Sequence, residues 1–234
     1  MTSKPVCASR CRSLALAAAG TLLAAQIAGL SPARALDEQA GEKQAIEACE
    51  KRLCTMLLQK NPKGDDLKCE LTKTWGKSTI KEAESKMVKW SYGDARCSVD
   101  LNLTRAAVVS AMTSESFTYQ VPAHTANCIV EQDGQASTVT TRLAPKIVFK
   151  NGKAEKVWIN LKSVDGPAGI KATIWTAARL EDSIGLFHRQ MIKSMNKFIE
   201  KSCAKKFPQI ASAAGLPPAK DKPRKIKPAE PPTK

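Results

Sequence analysis

Cysteine is the residue type with the most chemistry to offer in this chain. Two of the eight cysteines, Cys7 and Cys11, lie near the N-terminus. Cys49 and Cys54 lack the close spacing of a zinc knuckle, and no Cys-x-x-Cys pair supports thiol exchange. The spacing therefore favours structural disulfides over metal or redox chemistry, and the six cysteines concerned are Cys49, Cys54, Cys69, Cys97, Cys128 and Cys203.

The two histidines give little support for catalysis. His188 lies among apolar residues of a predicted helix with no carboxylate one turn away, and His124 follows Pro122 in a predicted loop. No nucleophile-elbow, zinc-protease or phosphate-loop motif is present. The sequence therefore predicts no catalytic residue, cofactor or metal site. A carboxylate from elsewhere in the fold stays open as a partner for either ring.

The first 35 residues have the pattern of a cleaved secretory signal peptide. Lys4, Arg10 and Arg12 precede an apolar stretch, and a small-x-small site ends at Ala35. The alanine-rich composition is typical of bacterial signals, which predicts a periplasmic or secreted protein. An uncleaved anchor is the alternative, because about seventeen apolar residues are near the lower limit for a membrane span. After cleavage we expect no transmembrane segment.

Export explains why six is a suitable number of cysteines. An even count in an oxidising compartment predicts three disulfides. Cys49 and Cys54 are about 7.5 Å apart along one predicted helix and project roughly 140° apart. Bridged alpha carbons lie within about 7 Å, so these two should not pair. We expect Cys54–Cys69, Cys97–Cys128 and Cys49–Cys203.

Charge and composition divide the rest of the chain in two. Residues 36–203 are predicted to form a single disulfide-stabilised domain, and residues 204–234 a basic, Pro/Lys-rich, disordered tail. The whole chain has 37 basic and 22 acidic residues, and the tail alone has eight basic residues against Asp221 and Glu230. A basic tail attracts polyanions in a salt-dependent way, although a merely solubilising tail has the same composition.

The hydrophobic patterning predicts an α+β fold, an antiparallel β-meander of about five to six strands with N-terminal helices and a long C-terminal helix packed on one face. Helical spacing runs over 37–59, and a second helix starts at Thr79. Residues 105–112 fit either a helical turn or a continued strand. Asp133-Gly134 and Asn151-Gly152 are typical hairpin turns. Strands are predicted at 97–103, 117–121, 126–131, 137–143, 147–150 and 156–161, and the last helix at 177–203.

A lysine-rich hairpin with one tryptophan is the best candidate for partner binding. By alternation Trp158 points away from the face of Val157, where it is either exposed or covered by another element. The candidate residues are Trp158, Lys146, Lys150, Lys153 and Lys156 in the hairpin and Lys222, Arg224, Lys225 and Lys227 in the tail.

These features favour an exported, non-enzymatic binding or envelope-associated protein with a basic surface. Its expected partner is an anionic envelope component such as lipid head groups, lipopolysaccharide or an acidic polymer, or another protein. A specific nucleic-acid partner is not expected, although extracellular DNA is among the available polyanions. The alternative is a small-ligand carrier or a hydrolytic enzyme with a pocket between the sheet and the C-terminal helix. A purely structural role also stays open.

Overall fold

The computed structural model describes residues 36–82, 84 and 86–216. The predicted signal peptide lies outside the described residues. Within the described residues, eight strands and seven α-helices form an α+β fold, which confirms the predicted class. The helices are α1 (Glu42–Gln59), α2 (Lys77–Glu82), α3 (Arg105–Thr113), α4 (Ala168–Ile184), α5 (His188–Lys197), α6 (Cys203–Lys206) and α7 (Pro208–Ala213), and a π-helix (Phe198–Ser202) joins α5 to α6. The strands are β1 (Leu67–Trp75), β2 (Ala95–Leu103), β3 (Ser116–Gln120), β4 (His124–Gln132), β5 (Gln135–Leu143), β6 (Lys146–Lys150), β7 (Lys153–Trp158) and β8 (Leu161–Asp165).

The larger sheet has five antiparallel strands in the order β1-β2-β4-β5-β8. Leu67 pairs with Leu103, and Ala95 pairs with Val130, so the apolar residues of neighbouring strands share one face. Helix α1 packs against β1, and α4 packs against β8. The opposite face is polar, with hydrogen bonds such as Thr72 to Ser98. The helices therefore lie on one face, as predicted.

The smaller sheet has three antiparallel strands in the order β3-β6-β7. A single meander was therefore wrong: the chain leaves the larger sheet for β3, returns for β4 and β5, and leaves it again for β6 and β7.

Both predicted turns are confirmed. Asp133 and Gly134 have φ of 52° and 75°, and Asn151 and Gly152 have φ of 49° and 75°, the positive angles of tight hairpin turns.

The predicted long C-terminal helix is broken. Helix α4 ends at Ile184 and is capped by Gly185, whose φ of 66° is left-handed, and α5 begins at His188. The apolar spacing continues across this break, which is why the pattern read as one helix.

The packed part of the chain continues beyond Cys203, because Phe207 and Ile210 are buried. The domain boundary predicted after Cys203 is therefore too early.

Two other elements differ from the prediction. Strand β1 was not recognised, although Leu67, Cys69 and Leu71 alternate with Lys68 and Glu70 as in a half-buried strand. Helix α2 ends at Glu82, so Met87 and Val88 do not extend it. Residues 105–113 form the helix α3, the first of the two alternatives.

Three disulfides join the layers, and Cys49 and Cys54 do not pair with each other, as expected. Cys97–Cys128 links directly opposed residues of β2 and β4, which confirms one predicted bridge. The other two pairings were exchanged: Cys49 bonds Cys69, and Cys54 bonds Cys203. Cys49 and Cys54 project from α1 in different directions, and spacing alone does not say which direction faces β1 and which the C-terminal helices.

Candidate functional site

The outer face of the smaller sheet brings together the residues of the predicted basic hairpin. We call Lys146, Lys150, Lys153, Lys156 and Trp158 the lysine face. In the pairing of β6 with β7, Lys146 lies opposite Trp158, and Lys150 lies opposite Lys153. Because side chains alternate along β6, both of these cross-strand pairs lie on the same side of the sheet. A bulge between Val148 and Phe149 brings Lys156 opposite Val148, which keeps it on that side. Four lysines and Glu155 lie within this hairpin.

Trp158 and Lys146, which are opposite each other on β7 and β6, form a cation–π contact. The Lys146 Nζ lies 4.2 Å from the centroid of the Trp158 ring. Trp158 is half-buried, whereas its neighbour Val157 points into the core with 6% exposure. The ring is thus held on the outer side of the sheet, where its remaining surface is accessible.

Not every lysine of this face is equally available. Lys153 Nζ lies 2.7 Å from the Glu200 carboxylate on the π-helix, which compensates its charge and lowers the pKa of Glu200. Within the described part of the chain, no carboxylate lies within ion-pair distance of Lys146, Lys150 or Lys156. These three ammonium groups therefore carry the charge of the lysine face. The tail residues Lys222, Arg224, Lys225 and Lys227 lie outside the described residues.

His124 is a structural residue. Its Nε2 accepts a hydrogen bond from the Asn102 backbone N–H at 2.8 Å, so the other nitrogen carries the proton. Nδ1 accordingly donates to the Pro122 carbonyl at 2.6 Å. Both ring nitrogens hold backbone groups, and the ring is 7% exposed. No nitrogen is left for acid–base work.

His188 has a carboxylate partner that sequence reasoning missed. Glu181 Oε1 lies 3.6 Å from His188 Nδ1, and Oε2 accepts a hydrogen bond from the Phe187 N–H at 2.5 Å. Glu181 is buried at 2% exposure. The two residues are seven positions apart. In a straight helix they would be separated by two turns, about 10.5 Å along the axis. The break at Gly185 brings their side chains together. In the described residues no hydrogen bond joins His188 to a serine, threonine or cysteine.

The chain matches no protein-family model, no curated protein and no solved structure.

Two further observations limit the chemistry of the described residues. Among them, no group of three or more His, Cys, Asp or Glu side chains is placed to hold a metal ion. No helix in residues 36–82, 84 and 86–216 is long and apolar enough to cross a membrane.

Proposed function

We propose that this protein is an exported, non-enzymatic binding protein that attaches to an anionic envelope component through the lysine face. The observation that supports this most directly is the grouping of Lys146, Lys150 and Lys156 beside Trp158 on one face of the smaller sheet, where Lys150 and Lys156 are exposed. The basic tail would extend the same contact along an anionic surface.

The chemistry of the face suits phosphate, sulfate or carboxylate groups. A lysine ammonium provides three donors and a compact charge, and its flexible stem adapts to different spacings of acidic groups. The indole of Trp158 has an apolar body and one N–H donor, which suits the boundary between an acidic head group and an apolar or sugar surface. A rigid sheet fixes these groups relative to one another.

The three disulfides support an oxidising compartment for this activity, because such bonds persist in exported proteins and are rare in the cytosol. Together with the signal-peptide pattern of residues 1–35, they favour the periplasm or the cell exterior, where anionic lipids, lipopolysaccharide and acidic polymers are available partners.

The test is binding to vesicles that contain phosphatidylglycerol, with pure phosphatidylcholine vesicles for comparison. The triple variant Lys146→Gln, Lys150→Gln, Lys156→Gln should weaken binding at least tenfold, since each lysine at an anionic surface contributes about 1 kcal/mol. A matched triple variant, Lys63→Gln, Lys68→Gln, Lys171→Gln, removes the same charge from exposed positions elsewhere. Equal losses in the two triple variants would show that only net charge matters and would reject the lysine face.

A second experiment distinguishes the contribution of the tail to binding from that of the lysine face. Deleting residues 217–234 should reduce the salt dependence of binding but preserve the difference between the two triple variants. A soluble acidic polysaccharide, tested in the same way, distinguishes lipid from polymer as the anionic source. Binding that is unchanged in the lysine-face variant and lost on deletion would assign the activity to the tail alone.

A further inference from the structure

A partly open cavity of about 160 Å³ lies between α1, α3, the inner face of the smaller sheet and the C-terminal helices. Its walls include Leu57, Ala111, Phe149 and Met195, and all its lining side chains are apolar except for the Tyr119 hydroxyl. That hydroxyl accepts a hydrogen bond from the Thr104 N–H at 3.3 Å. A cavity of this composition gives water too few polar partners to be stably hydrated.

The walls are held apart by contacts that lie outside the cavity. Asn196 on α5 is hydrogen-bonded to the backbone of Ala154, and Glu200 on the π-helix is paired with Lys153. Cys203 is bonded to Cys54 on α1. These contacts fix the C-terminal helices against both the sheet and α1, so the side chains around the cavity cannot simply collapse into it.

The π-helix contributes directly to the wall. Phe198 and Ile199 line the cavity, and both belong to the five-residue π-helical segment. A π-helical turn contains one more residue than an α-helical turn, and such segments are rare and frequently lie at functional sites. This local departure from helical geometry places two consecutive side chains, Phe198 and Ile199, in the cavity wall.

We propose that this cavity binds a small hydrocarbon group, about the size of a benzene ring or a short branched alkyl chain. An apolar cavity of about 150 Å³ in another protein stays dry and binds benzene, which sets the scale. The apolar lining excludes a charged group from the interior. The site is independent of the proposed anion-binding function: on β6, Ile147 and Phe149 line the cavity, whereas Lys146 and Lys150 lie on the opposite face.

The test uses benzene as the probe and the methionine methyl groups as reporters. Protein with its disulfides intact is labelled with methyl-¹³C methionine, and the signals are assigned by Met→Leu substitution. Met112 and Met195 line the cavity, whereas Met191 lines a separate groove beside α5. Benzene should shift the Met112 and Met195 signals saturably and leave Met191 unchanged. Shifts that do not saturate, or that appear at Met191 instead, would overturn the proposal.

A pair of alanine substitutions on α3 locates the binding. Ala111→Leu adds three carbon atoms at a cavity wall, where Ala111 is 2% exposed, and Ala106→Leu adds the same atoms at an exposed position. Benzene affinity should fall at least tenfold in the first variant and stay within twofold in the second. If Ala111→Leu does not fold, the smaller Ala111→Val takes its place. Unchanged affinity in a folded cavity variant would show that benzene binds elsewhere.

Discussion

The side chain of Asn196 takes the place of a neighbouring strand for Ala154. Its Oδ1 accepts a hydrogen bond from the Ala154 N–H at 2.8 Å, and its Nδ2 donates one to the Ala154 carbonyl at 2.9 Å. Ala154 lies on β7, the edge strand of the smaller sheet, and is 2% exposed. An unpaired edge is a template for aggregation, and here a helix covers it. The same contact fixes α5 beside the lysine face.

We expect Asn196→Ala to reduce the free energy of unfolding by about 1–3 kcal/mol, because it leaves both backbone groups of Ala154 buried without partners. Asn196→Asp should be less damaging, since a carboxylate still accepts the N–H. Urea denaturation measures both. The control is Asn127→Ala, which removes an exposed hydrogen bond to Thr140 and should cost about 0.5 kcal/mol or less. Equal losses at Asn196 and Asn127 would contradict the edge-capping role.

The disulfide connectivity gives a prediction that peptide mapping can check. Lys51 and Arg52 lie between Cys49 and Cys54, so trypsin separates these two cysteines. Under non-reducing conditions we expect peptide 44–51 joined to 69–73 and peptide 53–60 joined to 202–205. Peptide 53–60 joined to 69–73 would instead show the exchanged pairing and contradict the arrangement of α1 between β1 and the C-terminal helices.

Removing the long-range bridge should be more destabilising than removing the short one. Cys54 and Cys203 are 149 residues apart, and Cys49 and Cys69 are 20 apart. In the chain-entropy model, bridges over such loops contribute about 5 and about 3 kcal/mol, respectively. Thermal unfolding of the two double Cys→Ala variants measures the order. Both cysteines of the longer bridge are also fully buried, so replacing them by alanine leaves cavities that lower the stability further.

Local patterns predicted the fold well where the chain pairs with itself nearby. The hairpin turns at Asp133 and Asn151 and the strict alternation around Cys97 are local signals, and the structure confirms them. The same alternation on β6 and β7 placed Trp158 on the face opposite Val157. Grouping of the hairpin lysines could therefore be predicted from sequence.

Features that depend on distant contacts were missed. The break at Gly185 is stabilised by the Phe187 N–H bonded to Glu181, a contact that does not follow from helical spacing. The cavity depends on four separate segments of the chain. Such features follow from tertiary packing, and one sequence does not show which segments meet.

Glu42 predicts a specific acid sensitivity. Burial raises the pKa of Glu42, but hydrogen bonds from the Thr74 N–H, the Lys73 Nζ and the Thr74 hydroxyl outweigh this and lower the pKa from 4.5 to about 2. Because the pKa is depressed in the folded state, the stabilisation is complete above about pH 5 and is lost as the pH falls toward 2. We expect a loss of about 2–3 kcal/mol over this interval.

Denaturation at a series of pH values measures this effect. Glu42→Gln should lower stability at pH 7 and flatten the dependence between pH 5 and pH 2, since the amide does not titrate. The control, Glu47→Gln, removes an exposed carboxylate of the same helix that accepts none of these hydrogen bonds. An equally steep acid dependence in Glu42→Gln would show that another group is responsible.

The Glu181–His188 pair predicts an energetic coupling across the α4–α5 break. In the described residues, Glu181 Oε1 is buried without a hydrogen-bond partner, and the nearest cationic candidate is His188 Nδ1 at 3.6 Å. His188→Ala therefore removes the one imidazole near a buried carboxylate and should be destabilising. Glu181→Gln keeps an oxygen that can accept from Phe187 and removes the charge, so it should reduce the cost of His188→Ala.

A double-mutant cycle tests this coupling. The free energies of unfolding of the two single variants and of the double variant are measured in urea at one pH. We expect a coupling energy of about 0.5–3 kcal/mol, the range for residues in contact. Glu181→Ala is a further comparison: it also removes the acceptor for the Phe187 N–H and should be more destabilising than Glu181→Gln. Simple additivity of Glu181→Gln and His188→Ala would mean that the two side chains are neighbours without interacting.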